Sequence, residues 1–224
     1  MRGVAVCLLA LAAFVLPQAA AGQDQQTMDL PVLKAGDRWV YSWKNSRGET
    51  GRTALRVARI ADFEGTPAYY IEREAEWTTR QGQRRTARNT LVRDTQLNRV
   101  AVLDEQGRVI RRRKLQWYRW PLTAGAQWES EGTYEFLHRG SWIRRRATLL
   151  VQVREAGQVP GPQGQLLAFR LYWIFRWFSS EGTPLGHEVG EDWLSPAVRW
   201  SVRGSLKSGT YQEEYELAEF QLTP

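Results

Sequence analysis

Leu167–Phe178 reads LAFRLYWIFRWF, and its alternation decides the fold. Leu167, Phe169, Leu171, Trp173, Phe175 and Trp177 share one parity, while Arg170, Tyr172 and Arg176 lie on the other. A period of two places side chains on opposite faces of a strand, whereas a helix needs apolar residues three and four apart. Both faces of the run carry rings. A strand covered on both sides reads this way, and so does one whose second face lines a groove.

The same period recurs on either side of this run. Trp39, Tyr41 and Trp43 alternate with Val40 and Ser42. Tyr69, Ile71, Ala75 and Trp77 oppose Tyr70, Glu72, Glu74 and Glu76. Ile143, Ala147, Leu149, Val151 and Val153 oppose Arg144, Arg146 and Gln152; Val198, Trp200 and Val202 oppose Arg199, Ser201 and Arg203. Turn signals such as Asn45-Ser46-Arg47-Gly48, Gln81-Gly82, Glu105-Gln106-Gly107 and Glu181-Gly182 separate the runs. The pattern predicts an all-β chain of about 10–12 antiparallel strands. Twist curls so many strands into a strongly curved sheet or half-open β-barrel. Residues 94–103 are the single stretch that reads as a short helical turn.

Residues 1–21 read as a secretory signal to be removed. Arg2 is followed by an apolar run from Val4 to Leu16, then Pro17 and the small residues Ala19-Ala20-Ala21. Residues 22–224 then form a single all-β domain, exported to the periplasm or secreted, with no transmembrane span after processing. The lone cysteine, Cys7, leaves with the signal, so neither a disulfide framework nor a cysteine-zinc site is expected. An internal echo divides the domain: Leu33–Trp39 (LKAGDRW) and Leu122–Trp128 (LTAGAQW) share L-x-A-G-x-x-W, each ahead of a strand.

Four stretches come in a familiar order: Leu33–Tyr41 (LKAGDRWVY), Trp120–Trp128 (WPLTAGAQW), Val159–Phe169 (VPGPQGQLLAF) and Asp192–Val202 (DWLSPAVRWSV). They resemble exported bacterial domains of unknown function with the motifs PL-x-x-G-x-x-W-x-Y, VP-G-x-(F/L)-x-A and W-(Y/L)-(S/A)-P-x-V-G. That resemblance implies a curved, half-open β-barrel of lipoprotein-carrier type, and it transfers no catalytic set. The chain departs from the pattern at Arg199-Trp200, where the family carries glycine, and at the longer turn Pro160-Gly161-Pro162.

Composition narrows the chemistry. The 31 basic and 24 acidic residues give a net charge of +7. His138 beside Arg139-Gly140 reads as a hairpin tip, and His187 with Glu188, Glu191 and Asp192 as an acidic solvated loop. Ser195-Pro196 lacks the context of a nucleophile elbow. No catalytic, cofactor-binding or metal-ligating residues are nominated, and the expectation is a protein that is not an enzyme and needs no cofactor. The basic runs Arg84-Arg85, Arg111-Arg112-Arg113-Lys114 and Arg144-Arg145-Arg146 lie near aromatic residues, but an exported protein does not meet nucleic acid. In strands each Arg trio points to both faces, so its inward member needs an acidic partner or a wet concave surface.

Three classes of partner stay open. An amphiphile or lipid fits an aromatic groove, with Arg170 and Arg176 on its acidic head and Tyr172, Trp173, Trp177 and Trp200 on the rest. An acidic glycan fits the basic balance. An envelope protein fits edge pairing on Tyr211–Leu222, where Glu213, Glu214, Glu216 and Glu219 guard the edge.

Overall fold

The computed structural model describes residues 26–224. The signal sequence expected at residues 1–21 lies outside them. Fourteen strands follow in order. The first seven are β1 (Thr27–Met28), β2 (Arg38–Asn45), β3 (Thr50–Phe63), β4 (Thr66–Thr78), β5 (Arg84–Asp94), β6 (Arg99–Leu103) and β7 (Val109–Lys114). The rest are β8 (Leu122–Thr123), β9 (Gln127–His138), β10 (Ser141–Gly161), β11 (Gly164–Phe178), β12 (Pro184–Ser195), β13 (Trp200–Ser208) and β14 (Tyr211–Gln221).

Twelve of them form one closed antiparallel barrel in the order β10-β11-β12-β13-β14-β2-β3-β4-β5-β6-β7-β9. The ladder therefore goes one step beyond a half-open sheet, closing through four residue pairs between β7 and β9. Closure also corrects the edge reading of Tyr211–Leu222. β14 is paired on one side with β13 and on the other with β2, so it offers no free edge for strand addition. Residues 94–103 form a turn and then β6 rather than a helical turn. Asn98 N–H donates to the Asp94 carboxylate (2.8 Å), and Leu97 takes a positive φ of 65°.

The two ends of the barrel differ. At one end Met28, Leu33, Leu122, Val159, Phe169 and Val198 are buried. There β1 pairs with β8 and lays the start of the described chain across the opening. Fully buried Asp37 ties this end together. It accepts from Thr223 N–H (2.7 Å) and Lys34 N–H (2.9 Å), and pairs with the Arg199 guanidinium (3.2 Å). The Trp39 indole N–H donates to the Val198 carbonyl (2.7 Å), and Trp39 stacks on Trp200.

Toward the other end the inward rows open. Trp39 and Tyr41 are buried but Trp43 is half-buried; Leu217 is buried but Tyr215, Glu213 and Tyr211 are half-buried. Large inward rings there lie over glycines of the neighbouring strand. A Cβ on Gly186 would collide with the Trp177 ring, and one on Gly190 with the Trp173 ring. Glycine in these strands makes room for rings.

The two copies of the echo make the same bonds. Gly36 and Gly125 take φ of 97° and 86°, which disfavours any side chain. Gly36 N–H donates to Val57 O (2.8 Å) as Gly125 N–H donates to Val153 O (2.7 Å). Val57 N–H returns to Asp37 O, and Val153 N–H to Ala126 O. Each of these partners is followed by a bulge, between Val57 and Arg59 and between Val153 and Glu155.

Candidate functional site: an arginine-lined lumen

The inward parity of an antiparallel barrel is fixed by register, because residues directly opposite share a face. Ile71 is fully buried, and the next inward position on β4 is Arg73, opposite Asn89 on β5. Arg93 follows on β5 and pairs in register with Arg99 of β6. On β7, Arg111 and Arg113 lie opposite Phe136 and Tyr134 of β9. On the far wall, Glu188 lies opposite Phe175 and Asp192 opposite Leu171. Five arginines thus converge on an interior that simple patterning would fill with apolar groups.

They line a cavity of about 390 Å³, together with Glu188, Asp192, Glu213, Tyr41, Tyr215, Trp43, Trp173 and Trp200. That volume falls in the range of small-molecule pockets, about 300–1,000 Å³. Six arginines in all and three carboxylates line it; Arg112 is offset by Glu64 outside the lumen, which leaves an excess of two positive charges. Arg112, between Arg111 and Arg113, points outward and pairs with Glu64 (2.5 Å).

The carboxylates are largely engaged by neutral donors. Asp192 accepts from the Trp173 indole N–H (2.8 Å) and from the Tyr215 hydroxyl, and Glu213 accepts from the Tyr211 hydroxyl. Glu188 comes to 3.8 Å of Arg113, too far for a hydrogen bond. The arginines rest instead on rings. Arg99 lies 4.0 Å from the Trp117 ring centroid, Arg93 4.5 Å from Trp200 and Arg113 4.7 Å from Phe175. One Arg93 nitrogen donates to Leu97 O (2.6 Å). Nε of Arg93, Arg99 and Arg113, Nη1 of Arg113 and the Trp117 indole nitrogen are buried without an acceptor.

Burial, and after it the crowding of like charges, lowers the affinity of three of these guanidiniums for their protons. Burial first, then Arg99, brings Arg113 down to about 10, against a partial rescue by Glu188. Burial also lowers Arg93 and Arg73; Arg99 adds repulsion at Arg93, and Arg111 adds it at Arg73. Burial and the Asp192 charge push the Tyr41 and Tyr215 hydroxyls upward, so both stay protonated.

The six residues singled out in the sequence fall on two faces. Trp173, Trp177 and Trp200 point inward, and Trp173 and Trp200 line the cavity. Arg170, Tyr172 and Arg176 are outward. Arg170 donates to Glu191 (2.9 Å) and Glu155 (3.0 Å), which raises its guanidinium pKa. Arg154 lies 3.9 Å over the Tyr172 ring, and Arg176 is exposed opposite His187. Arg170 borders a larger outer concavity of about 1,020 Å³. Most of its charges are paired, as in Lys44–Glu214 (3.1 Å) and Arg84–Glu76 (2.6 Å), and its five basic residues face four carboxylates, a smaller excess than in the lumen. His187 sits on β12 rather than in an acidic loop, and Glu188 turns inward away from it. Outward rows of charge such as Glu72, Glu74 and Glu76 stand where a membrane barrel needs an apolar band.

The sequence missed the five lumen arginines as a group. The available signal was their parity. Arg73 stands in the apolar row Tyr69, Ile71, Ala75, Trp77, and Arg111 and Arg113 share one parity of their run.

No family model matches the chain, and no curated protein matches it. Solved structures of similar outline exist. A Bacteroides fragilis protein with a YmcC-like fold gives a TM-score of 0.47 at 11% identity, over 88% of this chain and all of that one. The hypothetical lipoprotein YmcC from Escherichia coli gives 0.40 at 9% identity, over 84% and 85% of the two chains. A β-barrel-like protein of a domain of unknown function from Brucella abortus gives 0.38 at 12%, over 86% and 99%. At that distance the likeness is one of outline alone, and what the barrel can do follows from its own residues.

Proposed function

We propose that the chain is an exported, envelope-associated binding protein that performs no catalysis and takes up an acidic amphiphile, head first, through the open end of the barrel. The observation that carries this reading is the lumen itself. Arg93 stands deepest, on Trp200 beside the closed end, Arg113 stands level with Tyr134, and further rings line the wall around them. Trp43 and Trp77 approach within 6.5 Å on one side, and Tyr134 and Phe136 within 5.2 Å on the other. Guanidinium charge in excess of carboxylate is costly to hold out of water, a cost that an anionic ligand relieves. The closed end, packed with apolar side chains, makes the lumen a cup rather than a channel.

The test is native mass spectrometry of the protein purified from the envelope of its own source. The expected result is a small acidic amphiphile that leaves on denaturation. A bare chain that also shows no change in tryptophan fluorescence with short-chain acidic amphiphiles would overturn the reading. A co-purifying polypeptide without lipid would favour a protein partner instead.

A further inference from the structure

We infer that Arg93, Arg99 and Arg113 form a receptor for a phosphate monoester, the dianionic head of the ligand. This deepens the amphiphile reading and rests on it. Charge, geometry and burial support the assignment. The lumen's excess of two positive charges equals the charge of a phosphate monoester, whose second ionisation falls near pH 6. A carboxylate would leave one guanidinium charge uncompensated in a medium where such charge is expensive.

The geometry agrees with the count. The three guanidiniums reach in from β5, β6 and β7, on three successive strands. The three guanidiniums come from three separate residues of the cavity wall, which suits a tetrahedral group with oxygens in several directions. Arg93 and Arg113 are 7% and 9% exposed, so these donors are part of the interior and are not surface charges. Their positions are held by ring contacts on Trp200, Trp117 and Phe175, so little ordering is needed when the ligand arrives.

A phosphate could come from a lipid head or from a free phosphorylated metabolite. Calorimetric titration with four probes separates them: dihexanoyl phosphatidate, dihexanoylglycerol, octanoate and glycerol 3-phosphate. The expected order places phosphatidate at least thirty-fold tighter than dihexanoylglycerol and octanoate. Arg99→Gln is expected to weaken phosphatidate binding at least ten-fold, with the far-ultraviolet circular dichroism unchanged. Arg113→Met serves as a second variant: it removes a buried charge, so the empty barrel should melt no earlier while binding falls.

Phosphorus NMR should show the bound phosphate staying dianionic to at least one pH unit below its free value. Equal binding of dihexanoylglycerol and phosphatidate would overturn the phosphate receptor and the acidic-amphiphile reading with it, whereas octanoate binding as tightly as phosphatidate would overturn the receptor alone. Equal binding of glycerol 3-phosphate and phosphatidate would keep the receptor and overturn the amphiphile. No binding of any probe would overturn the receptor.

Discussion

Tyr215 and Asp192 show how the lumen distributes its hydrogen bonds. The carboxylate is held by a phenol and an indole, two neutral donors, while guanidiniums nearby keep N–H groups free. The phenols of Tyr41 and Tyr215 are raised by burial and then by the Asp192 charge. An unfolded tyrosine ionises near pH 10. Because the folded values lie above that, the stability these groups contribute is fully present below pH 10. It is lost as pH rises toward the folded values. Ultraviolet difference absorbance across an alkaline titration should show Tyr41 and Tyr215 ionising only together with the loss of the barrel's circular dichroism. A single transition near pH 10 with circular dichroism unchanged would contradict this.

At this scale the sequence was legible in parity and silent on contact. Arg73 shares the apolar parity of its strand and could be placed inside. Whether its charge would meet a carboxylate or a cavity depended on β5 and β14, far along the chain. Arg199 illustrates the same limit. It takes φ of 57°. A left-handed conformation costs a non-glycine residue about 1–2 kcal/mol. Pairing with fully buried Asp37 offsets that cost, a contact that spans most of the chain.

Among the elements, β6 and β7 are where the barrel is thinnest. β6 is five residues long and meets β7 through three pairs, and β7 is six residues long and meets β9 through four, whereas β10 and β11 pair along fifteen. Gly132 lies beside that seam, opposite Ala147 of β10. A Cβ there would fall on the Lys114 carbonyl at the end of β7. Gly132→Ala should therefore push β7 away from β9 at a cost of about 1–3 kcal/mol, the usual penalty of overpacking. Hydrogen exchange would report it: amides of β7 and of residues 133–136 should lose protection before those of β10 and β11. Uniform loss over the barrel would mean that the seam is not the weak element. The long strands were readable from alternation alone. β6 and β7 were not, because each is short and arginine sits at their inward positions, which hides the apolar period. The edge expected at Tyr211–Leu222 was lost for a related reason: no local pattern records that the last strand returns to β2.

At the scale of the whole molecule the barrel separates two jobs. The closed end holds its core: Leu33 and Leu122 are fully buried, and β1 pairs β8 across the opening. The lumen half holds charges that oppose folding. All-β architecture and strong curvature followed from ten or more alternating segments, but this division did not. It required knowing which turns share an end, and so which inward residues are deep and which are near the mouth. The division makes stability and binding separable by mutation. Leu33→Ala should lower stability by about 2–5 kcal/mol, as large-to-small changes in cores do. Its affinity for an acidic amphiphile should stay at the wild-type value, because Leu33 is absent from the cavity wall. Arg99→Gln should do the reverse, lowering affinity while urea unfolding keeps its midpoint or moves it upward. The two substitutions lie far from shared partners, so their effects on unfolding should add in the double variant. Should Leu33→Ala weaken binding as strongly as it weakens folding, the ends would be coupled. The barrel would then be one mechanical unit, with its plug setting the shape of the cup.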